Sequence, residues 1–282
     1  MTLGAPIDMA RYIERSEFLM IFAKFAQKFS HEIPSASAAY SLYHGAWKYD
    51  FDRKTPQDII EVIDSDQRPK WCAETFEGFV GSSVLELGPA DGYNTAALER
   101  LGAKVTAIEG NVDAFLRCLI LKNALGLQSQ FQLGDFTRAF EDSRRVDTIY
   151  ASGVLYHIQD PIGFLDMAGR KAKNLFLWTH FFDEENIKNI DHELKGFSDH
   201  ITQARQYKGR NYTYHTKTYD LEHVGGDGYI GGLNATANRL KRDDLFAAVE
   251  AAGYTIRQTY EDPYRKGVLA AVNILASQTH RA

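Results

Sequence analysis

Cysteine is scarce in this chain: Cys72 and Cys118 are the only two among 282 residues. Two isolated thiols cannot build a disulfide framework or a zinc knuckle, so a reducing, cytoplasmic setting is the expectation. Long apolar runs are missing as well. The best stretch, "FLMIFAKFA" from Phe18 to Ala26, is short, broken by Lys24 and flanked by charge, which excludes it as a membrane span. The first residues carry Asp8, Arg11, Glu14, Arg15 and Glu17, unlike a secretory signal. An excess of positive charge is also lacking. A net charge of −5 does not favour nucleic acid as the partner, because tracking a phosphate backbone calls for clustered Lys and Arg. Internal repeats and low-complexity tracts are absent.

What remains is ordinary for a globular protein, with 44% hydrophobic and 24% charged residues. Residues 8–31 place Tyr12, Phe18, Leu19, Phe22, Phe25 and Phe29 at helical spacing, which predicts an amphipathic helix packed on a core. An aromatic segment, "YSLYHGAWKYDF", follows. "TPQDIIEVI" then reads as a capped helix, with Thr55 at the N-cap, Pro56 next and Asp58 three residues on. From Ser82 the pattern alternates. Strands are expected at 82–87, 104–109, 129–133, 146–151 and 173–179, with helices near 93–102, 112–126 and 161–171. Alternation at this period means parallel strands joined by right-handed crossovers. A polar segment rich in Tyr, His and Gly breaks the rhythm from Phe182 to about Asn238. A helix, "KRDDLFAAVEAAGY", and two strands near 254–261 and 267–276 close the chain as a hairpin around "EDPYRKG". The expected organisation is therefore an extension over 1–74, an α/β core over 75–181 and 239–282, and an insert or lid over 182–238.

Chemistry concentrates where strands end. "VLELGPADGYNTAAL" runs from a strand through a glycine turn into a helix, the place where open α/β sheets bind ligands. A dinucleotide fingerprint fails here twice: counting from Gly88, Ala90 and Tyr93 stand where its second and third glycines belong. The run Glu86-Leu87-Gly88-Pro89-Ala90-Asp91-Gly92 instead resembles the acidic, glycine-rich turn of class I S-adenosylmethionine-dependent methyltransferases, with Ala90 in place of the middle glycine. Glu109 ends the second strand in "VTAIEGN", and Asp135 ends the third in "QLGDF" beside Phe136. The resemblance implies that Gly88 and Gly92, with Ala90 between them in the cofactor turn, let the backbone approach the cofactor's amino-acid end. It implies that Glu86 fixes the loop or reaches the cofactor's ammonium group through water. It further implies that Glu109 holds the ribose and that Asp135 and Phe136 hold the adenine. It also implies a Rossmann-like α/β fold with a seven-stranded sheet whose last strand is antiparallel.

Methyl transfer needs alignment first and a proton acceptor second. Histidine suits the second task because its ordinary pKa of about 6.5 leaves it largely neutral near pH 7. His157 in "GVLYHIQDP" and His180 in "FLWTHFFDEE" both fall at ends of core strands and are the candidate catalytic residues. Tyr156, Thr179, Tyr214, His215, Tyr229 and Asn234 are candidate acceptor contacts, since tyrosine and histidine offer flat faces with polar tips. "GGDGYIGGLNAT", from Gly225 to Thr236, reads as a loop able to close over the site. A divalent ion held by Asp183 with His180, or by "DHE" at 191–193 with His200, lacks a tight ligand spacing and is not favoured.

Two resemblances bear on the acceptor. "SGVLYHIQDPIGFL" is similar to the corresponding loop of the enzyme that carboxymethylates wobble uridine in tRNA. "LYH", "LWTH" and the helix entrance "ATANRLKRDDL", with Thr236, Asn238 and Arg242, resemble bacterial methyltransferases of glycan and secondary-metabolite pathways. The second implies a small-molecule or glycan acceptor methylated on a hydroxyl, and is preferred. Transfer to carbon or nitrogen of a natural product, tRNA modification, and an inactive cofactor-binding scaffold remain the alternatives. A homo-oligomer is left open.

Overall fold

The computed structural model describes residues 33–49, 55–138, 144–220, 232, 234–262 and 268–278. The chain divides into two units, 1–38 and 39–282. Of the first, 33–38 are described, where a 3-10 helix, Ala36–Tyr43, begins. The helix expected over 8–31 lies outside the described residues.

The second unit is built on a seven-stranded sheet. Strands β1 (Ser83–Leu87), β2 (Lys104–Glu109), β3 (Gln130–Leu133), β4 (Val146–Ser152) and β5 (Ala172–His180) fall within a residue or so of the expected spans. With β9 (Tyr254–Glu261) and β10 (Ala271–Gln278) the order is β3-β2-β1-β4-β5-β10-β9. Only β10 is reversed, antiparallel to both neighbours. It starts four residues later than the sequence suggested. Val268 to Ala270 are apolar, but the Asn186 amide donates to the Val268 carbonyl and accepts the Ala270 N–H, and the ladder opens at Ala271.

Helices cover both faces, which is why β1 is buried from Val84 to Leu87 and reads as an apolar run. Helix α1 (Pro56–Ser65) starts with the expected capping box between Thr55 and Asp58, and α2 (Arg68–Thr75) follows. Ile59 and Ile63 of α1 pack with Ala96 of α3 (Tyr93–Arg100) and Leu121 of α4 (Val112–Leu125). On the other face, Ile162 and Leu165 of α5 (Pro161–Lys171) meet Ile149, Leu175, Leu177 and Ile274 from the sheet. No helix among the described residues is long and apolar enough to cross a membrane.

The segment after β5 is more ordered than its polarity suggested. Two short helices, α6 (Glu184–Ile187) and α7 (Asp191–Gly196), lead into an antiparallel sheet of β6 (Thr202–Tyr207), β7 (Arg210–Thr218) and β8 (Thr236–Arg239), in the order β6-β7-β8. Lys208 and Gly209 turn β6 into β7 with φ of 46° and 81°, the doubly left-handed turn that matches strand twist. Strand β8 then carries the chain across the expected boundary at residue 238 into α8 (Arg242–Ala251).

Candidate functional site

The carboxyl ends of β3, β2, β1, β4 and β5 open side by side onto one cavity of about 510 Å³. The chain leaves β1 for β2 on one side while β4 pairs on the other, so the cavity lies at the point where strand order reverses. Five neighbouring strand ends span roughly 19 Å at about 4.8 Å per strand. An elongated small molecule and a second reactant fit a space of that size.

The turn after β1 is left-handed at Gly88 (φ 61°), Ala90 (φ 55°) and Gly92 (φ 84°). Gly88 and Ala90 line the cavity. A Cβ on Gly88 would come within 3.0 Å of Val154 Cγ2, so a side chain there would close the gap between the two loops. Ala90 takes a conformation uncommon for a residue with a Cβ, and it is pinned there. Its N–H donates to Glu109 Oε2 at 3.0 Å, while Asn111 N–H donates to Oε1 at 2.9 Å. Burial pushes the Glu109 pKa up, against backbone N–H groups of Asn111, Ala90 and Gly110 that favour the charged form. Of the roughly four lone-pair sites on the carboxylate, these three N–H groups leave about one for a ligand donor. Asp135 and Phe136 also line the cavity. Asp135 Oδ1 is occupied by the Thr137 N–H (2.9 Å) and hydroxyl (2.6 Å), and Phe136 stands edge-on to Phe164 at 6.0 Å.

Two expected cofactor residues lie elsewhere. A Cβ on Gly92 would meet Leu121, Phe131 and Cys118, so Gly92 serves the packing of α4 and not the cavity wall. Glu86 is 1% exposed and accepts a hydrogen bond from the Thr95 hydroxyl of α3. Burial raises its pKa to about 8. It locks β1 to α3 from beneath the turn.

On the β4–β5 flank, Gly153 (φ 84°) turns the chain and a 3-10 turn, Leu155–His157, presents Tyr156 and His157 to the cavity. Trp178, Gln159 and Asn234 line the same end. Trp178 and Tyr156 meet edge to face at 6.1 Å. His157 Nδ1 is 2.8 Å from the Tyr219 hydroxyl. Burial, then the charges of Arg239 and Lys217, lower its pKa to about 3, so the ring is neutral at ordinary pH.

His180 stands behind Tyr156, ring centroids 4.6 Å apart, and does not line the large cavity. Its Nδ1–H donates to the Ala270 carbonyl at 3.1 Å, and burial followed by Arg239 brings its pKa to about 4. With Thr179, Asn238 and Arg239 it lines a separate void of about 10 Å³. Thr179 is buried, its hydroxyl donating to the His180 carbonyl at 3.0 Å. Tyr214 and His215 are likewise not on the cavity wall. The Tyr214 hydroxyl donates to Asp160 Oδ1 (2.5 Å) and accepts the Ile162 N–H (3.2 Å), capping α5. His215 lies flat on Phe182, centroids 3.7 Å apart. Tyr214 and His215 are consecutive on β7 and so point to opposite faces of its sheet. Tyr229 lies outside the described residues. Among the described residues no three His, Cys, Asp or Glu side chains gather to hold a metal ion. Asp183 instead caps α6 through the Asn186 N–H at 3.1 Å.

Several wall residues escaped sequence reasoning, among them Ser152, Gln159 and Trp178 and, from the segment before β1, Lys48, Tyr49, Asp66 and Arg68. Lys48 and Tyr49 are brought in by Asp91, whose carboxylate accepts the Lys48 N–H at 2.7 Å and pairs with buried Arg117 at 2.6 Å. Arg68 pairs with Asp66, donates to Ser152 Oγ at 2.8 Å and lies over the Trp178 ring. The density of aromatic residues in 40–51 was the available signal.

Residues 54–225, more than half of the chain, match the protein family described as "Methyltransferase domain". Among solved structures the chain is similar to the N-terminal domain of EvdMO1 with SAH bound, at 22% identity over 95% of this chain and 98% of that one, TM-score 0.58. A structure of the same domain in the presence of SAH and D-fucose gives 20% identity and a TM-score of 0.57, with the same coverage. Magnesium protoporphyrin IX methyltransferase from Synechocystis PCC 6803 with bound SAH is 14% identical over 85% and 93% of the two chains, TM-score 0.52. At these identities the likeness is one of fold. A curated relative, the tRNA U34 carboxymethyltransferase of Campylobacter hominis, is 28% identical over 142 residues, 48% of this chain and 50% of that protein. The chain thus spans about half the length of that relative.

Proposed function

The chain belongs to the methyltransferase-domain family, and from that premise we propose that it methylates a hydroxyl of a small-molecule or glycan-like acceptor, with His157 taking the proton. It is an S-adenosylmethionine-dependent methyltransferase. The cavity suits that cofactor: Gly88 offers bare backbone where a Cβ would reach Val154, and Glu109 and Asp135 offer carboxylates at successive strand ends beside an aromatic ring. Glu109 would hold the ribose hydroxyls, and Asp135 with Phe136 the adenine. Bound there, the cofactor supplies an electrophilic methyl group on a sulfonium.

The observation that carries the acceptor reading is the other end of the same cavity. Tyr156, His157 and Trp178 form an aromatic wall with Gln159, Asn234 and Ser152 as polar points, the mixture that orients a ring bearing hydroxyls. His157 is uncharged, so it can accept a proton. Its low basicity is no obstacle, because a hydroxyl oxygen becomes strongly acidic as it takes the methyl. His180 acts from behind Tyr156 as support. The setting is cytoplasmic.

The curated relative favours a second reading, transfer to a tRNA base. Against it, Arg205 and Arg210 on the exposed β6–β7 hairpin are already paired with Asp160 and Asp244. Methyl-labelled S-adenosylmethionine incubated with the protein and a cell extract separates the two. Ribonuclease-resistant label in low-mass or glycan fractions supports the proposal. Ribonuclease-sensitive label in large molecules overturns it.

A further inference from the structure

The insert sends one side chain back to His157. Tyr219 follows β7 directly, and its backbone is fixed by a hydrogen bond from its N–H to the Ala235 carbonyl at 2.9 Å. Its hydroxyl lies 2.8 Å from His157 Nδ1 and 3.5 Å from the Tyr156 carbonyl oxygen, and its ring stacks at 29° on the imidazole with centroids 5.9 Å apart. A phenol has one proton to give and lone pairs to receive. The Tyr156 carbonyl can only accept, and among the described residues this hydroxyl is its one donor. A backbone carbonyl in a half-buried turn needs such a donor.

We infer that Tyr219 is a positioning residue that fixes the tautomer of His157. The phenol proton turns toward the Tyr156 carbonyl, the phenol oxygen accepts Nδ1–H, and the lone pair of the imidazole is left on Nε2. Which nitrogen of a histidine carries the proton is set by the partner of the other. The inference rests on the proposed role of His157 and adds the group that makes it competent. During transfer the acceptor oxygen gains the methyl, the electron pair of the S–CH₃ bond stays on sulfur, and the acceptor's O–H proton passes to Nε2. The Nδ1–H stays on Tyr219 throughout. The positive charge lost at sulfur reappears on the imidazolium, which then releases its Nε2 proton to water.

This arrangement also explains why a chain segment far along the sequence returns to this loop. Gly232 comes so close that an added Cβ would stand 2.4 Å from the His157 carbonyl oxygen. Asn238 donates its N–H to the Ile158 carbonyl at 3.0 Å and its amide to the Gln159 carbonyl at 2.6 Å. The insert therefore grips the 155–159 turn from several points, and among its described residues Tyr219 is the one whose side chain bonds the imidazole.

The test is nitrogen NMR of the full chain labelled at histidine, with His157→Asn used to assign the resonance. The wild-type protein should show His157 as the Nδ1–H tautomer, and Tyr219→Phe should shift it toward Nε2–H. The same variant should lower kcat by about 10–100-fold, the usual cost of losing such an orienting partner, with S-adenosylhomocysteine affinity within a few-fold of wild type. An Nε2–H tautomer in the wild type overturns the inference, and so does a tautomer unchanged in Tyr219→Phe. The NMR arm needs no turnover. An Nδ1–H tautomer that shifts as expected, beside a His157→Asn variant of full activity, would uphold the positioning and sink the base assignment alone.

Discussion

Glu109 holds Ala90 in its left-handed conformation: one carboxylate oxygen takes the Ala90 N–H at 3.0 Å, and the other reaches on to Asn111. One side chain thus sets the shape of the turn after β1 and stands ready at the end of β2. Replacing it by Gln puts an NH₂ group against a backbone N–H and leaves one donor unpaired. Glu109→Gln should weaken S-adenosylhomocysteine binding by about 10–100-fold, or roughly 1.5–3 kcal/mol for lost hydrogen bonds to a charged group. Calorimetric titration measures it, and unchanged affinity would remove Glu109 from the cofactor site.

Gly232 stands against the His157 carbonyl with no room for a methyl group. The clash is with backbone, so Gly232→Ala must displace the loop or the imidazole. Transfer should slow by up to about 10²-fold, the scale for misplacing a reacting group by about 1 Å, while cofactor affinity is retained. Steady-state kinetics beside a binding measurement check this; equal losses in both would point to general unfolding.

Glu193 of α7 is 2% exposed and pairs with two buried cations, Lys217 and Arg239, the latter at 2.9 Å. Burial opposes its charge, but the two cations hold its carboxyl below the usual range. Glu193→Gln leaves both positive charges in the interior with half a partner. A loss of about 3–5 kcal/mol is expected. Urea denaturation that finds less than about 1 kcal/mol would show that water reaches this cluster.

Acid should destabilise the fold earlier than carboxylate protonation alone requires. His157 and His180 have folded pKa values near 3 and 4, below the unfolded value of about 6.5. Between those limits the unfolded chain binds protons that the native chain refuses, so the histidines' contribution to stability is full above about pH 6.5 and falls as pH drops toward 4. Glu86 offsets part of this, because its raised pKa favours the folded chain as pH falls from about 8. Each histidine contributes a slope of up to about 1.4 kcal/mol per pH unit. Denaturation midpoints at pH 7, 6 and 5, compared with a His157→Asn, His180→Asn double variant, report the difference. The same values predict no acid limb near pH 6.5 in the transfer rate. A limb there would assign His157 an ordinary pKa.

Much of this was legible before any coordinates. The strands at 83–87, 104–109 and 146–152 are largely apolar runs closed by Gly or Glu and buried over most of their length, so little blurred their signal. The positions of Glu109 and Asp135 were readable from what precedes them: Glu109 is the last residue of β2, and Asp135 stands two residues past β3. The three-stranded sheet after residue 200 was not, because β6, "TQARQY", is exposed on nearly its whole length and has no apolar face to betray it. Its one mark was Lys208-Gly209 between the alternating residues Tyr207, Tyr212 and Tyr214. Residue type alone misled at Tyr214 and His215, whose positions on β7 decide what they touch. Lys48 and Arg68 reach the cavity through tertiary contacts with Asp91 and Ser152, which local spacing cannot reveal.

A crystal structure with S-adenosylhomocysteine tests the central claim most directly. The account predicts the adenine beside Asp135 and Phe136, the ribose hydroxyls on Glu109, and the sulfur facing the Gly153–His157 loop. Adenine at the Trp178 end, or a ligand bound outside this cavity, would contradict it.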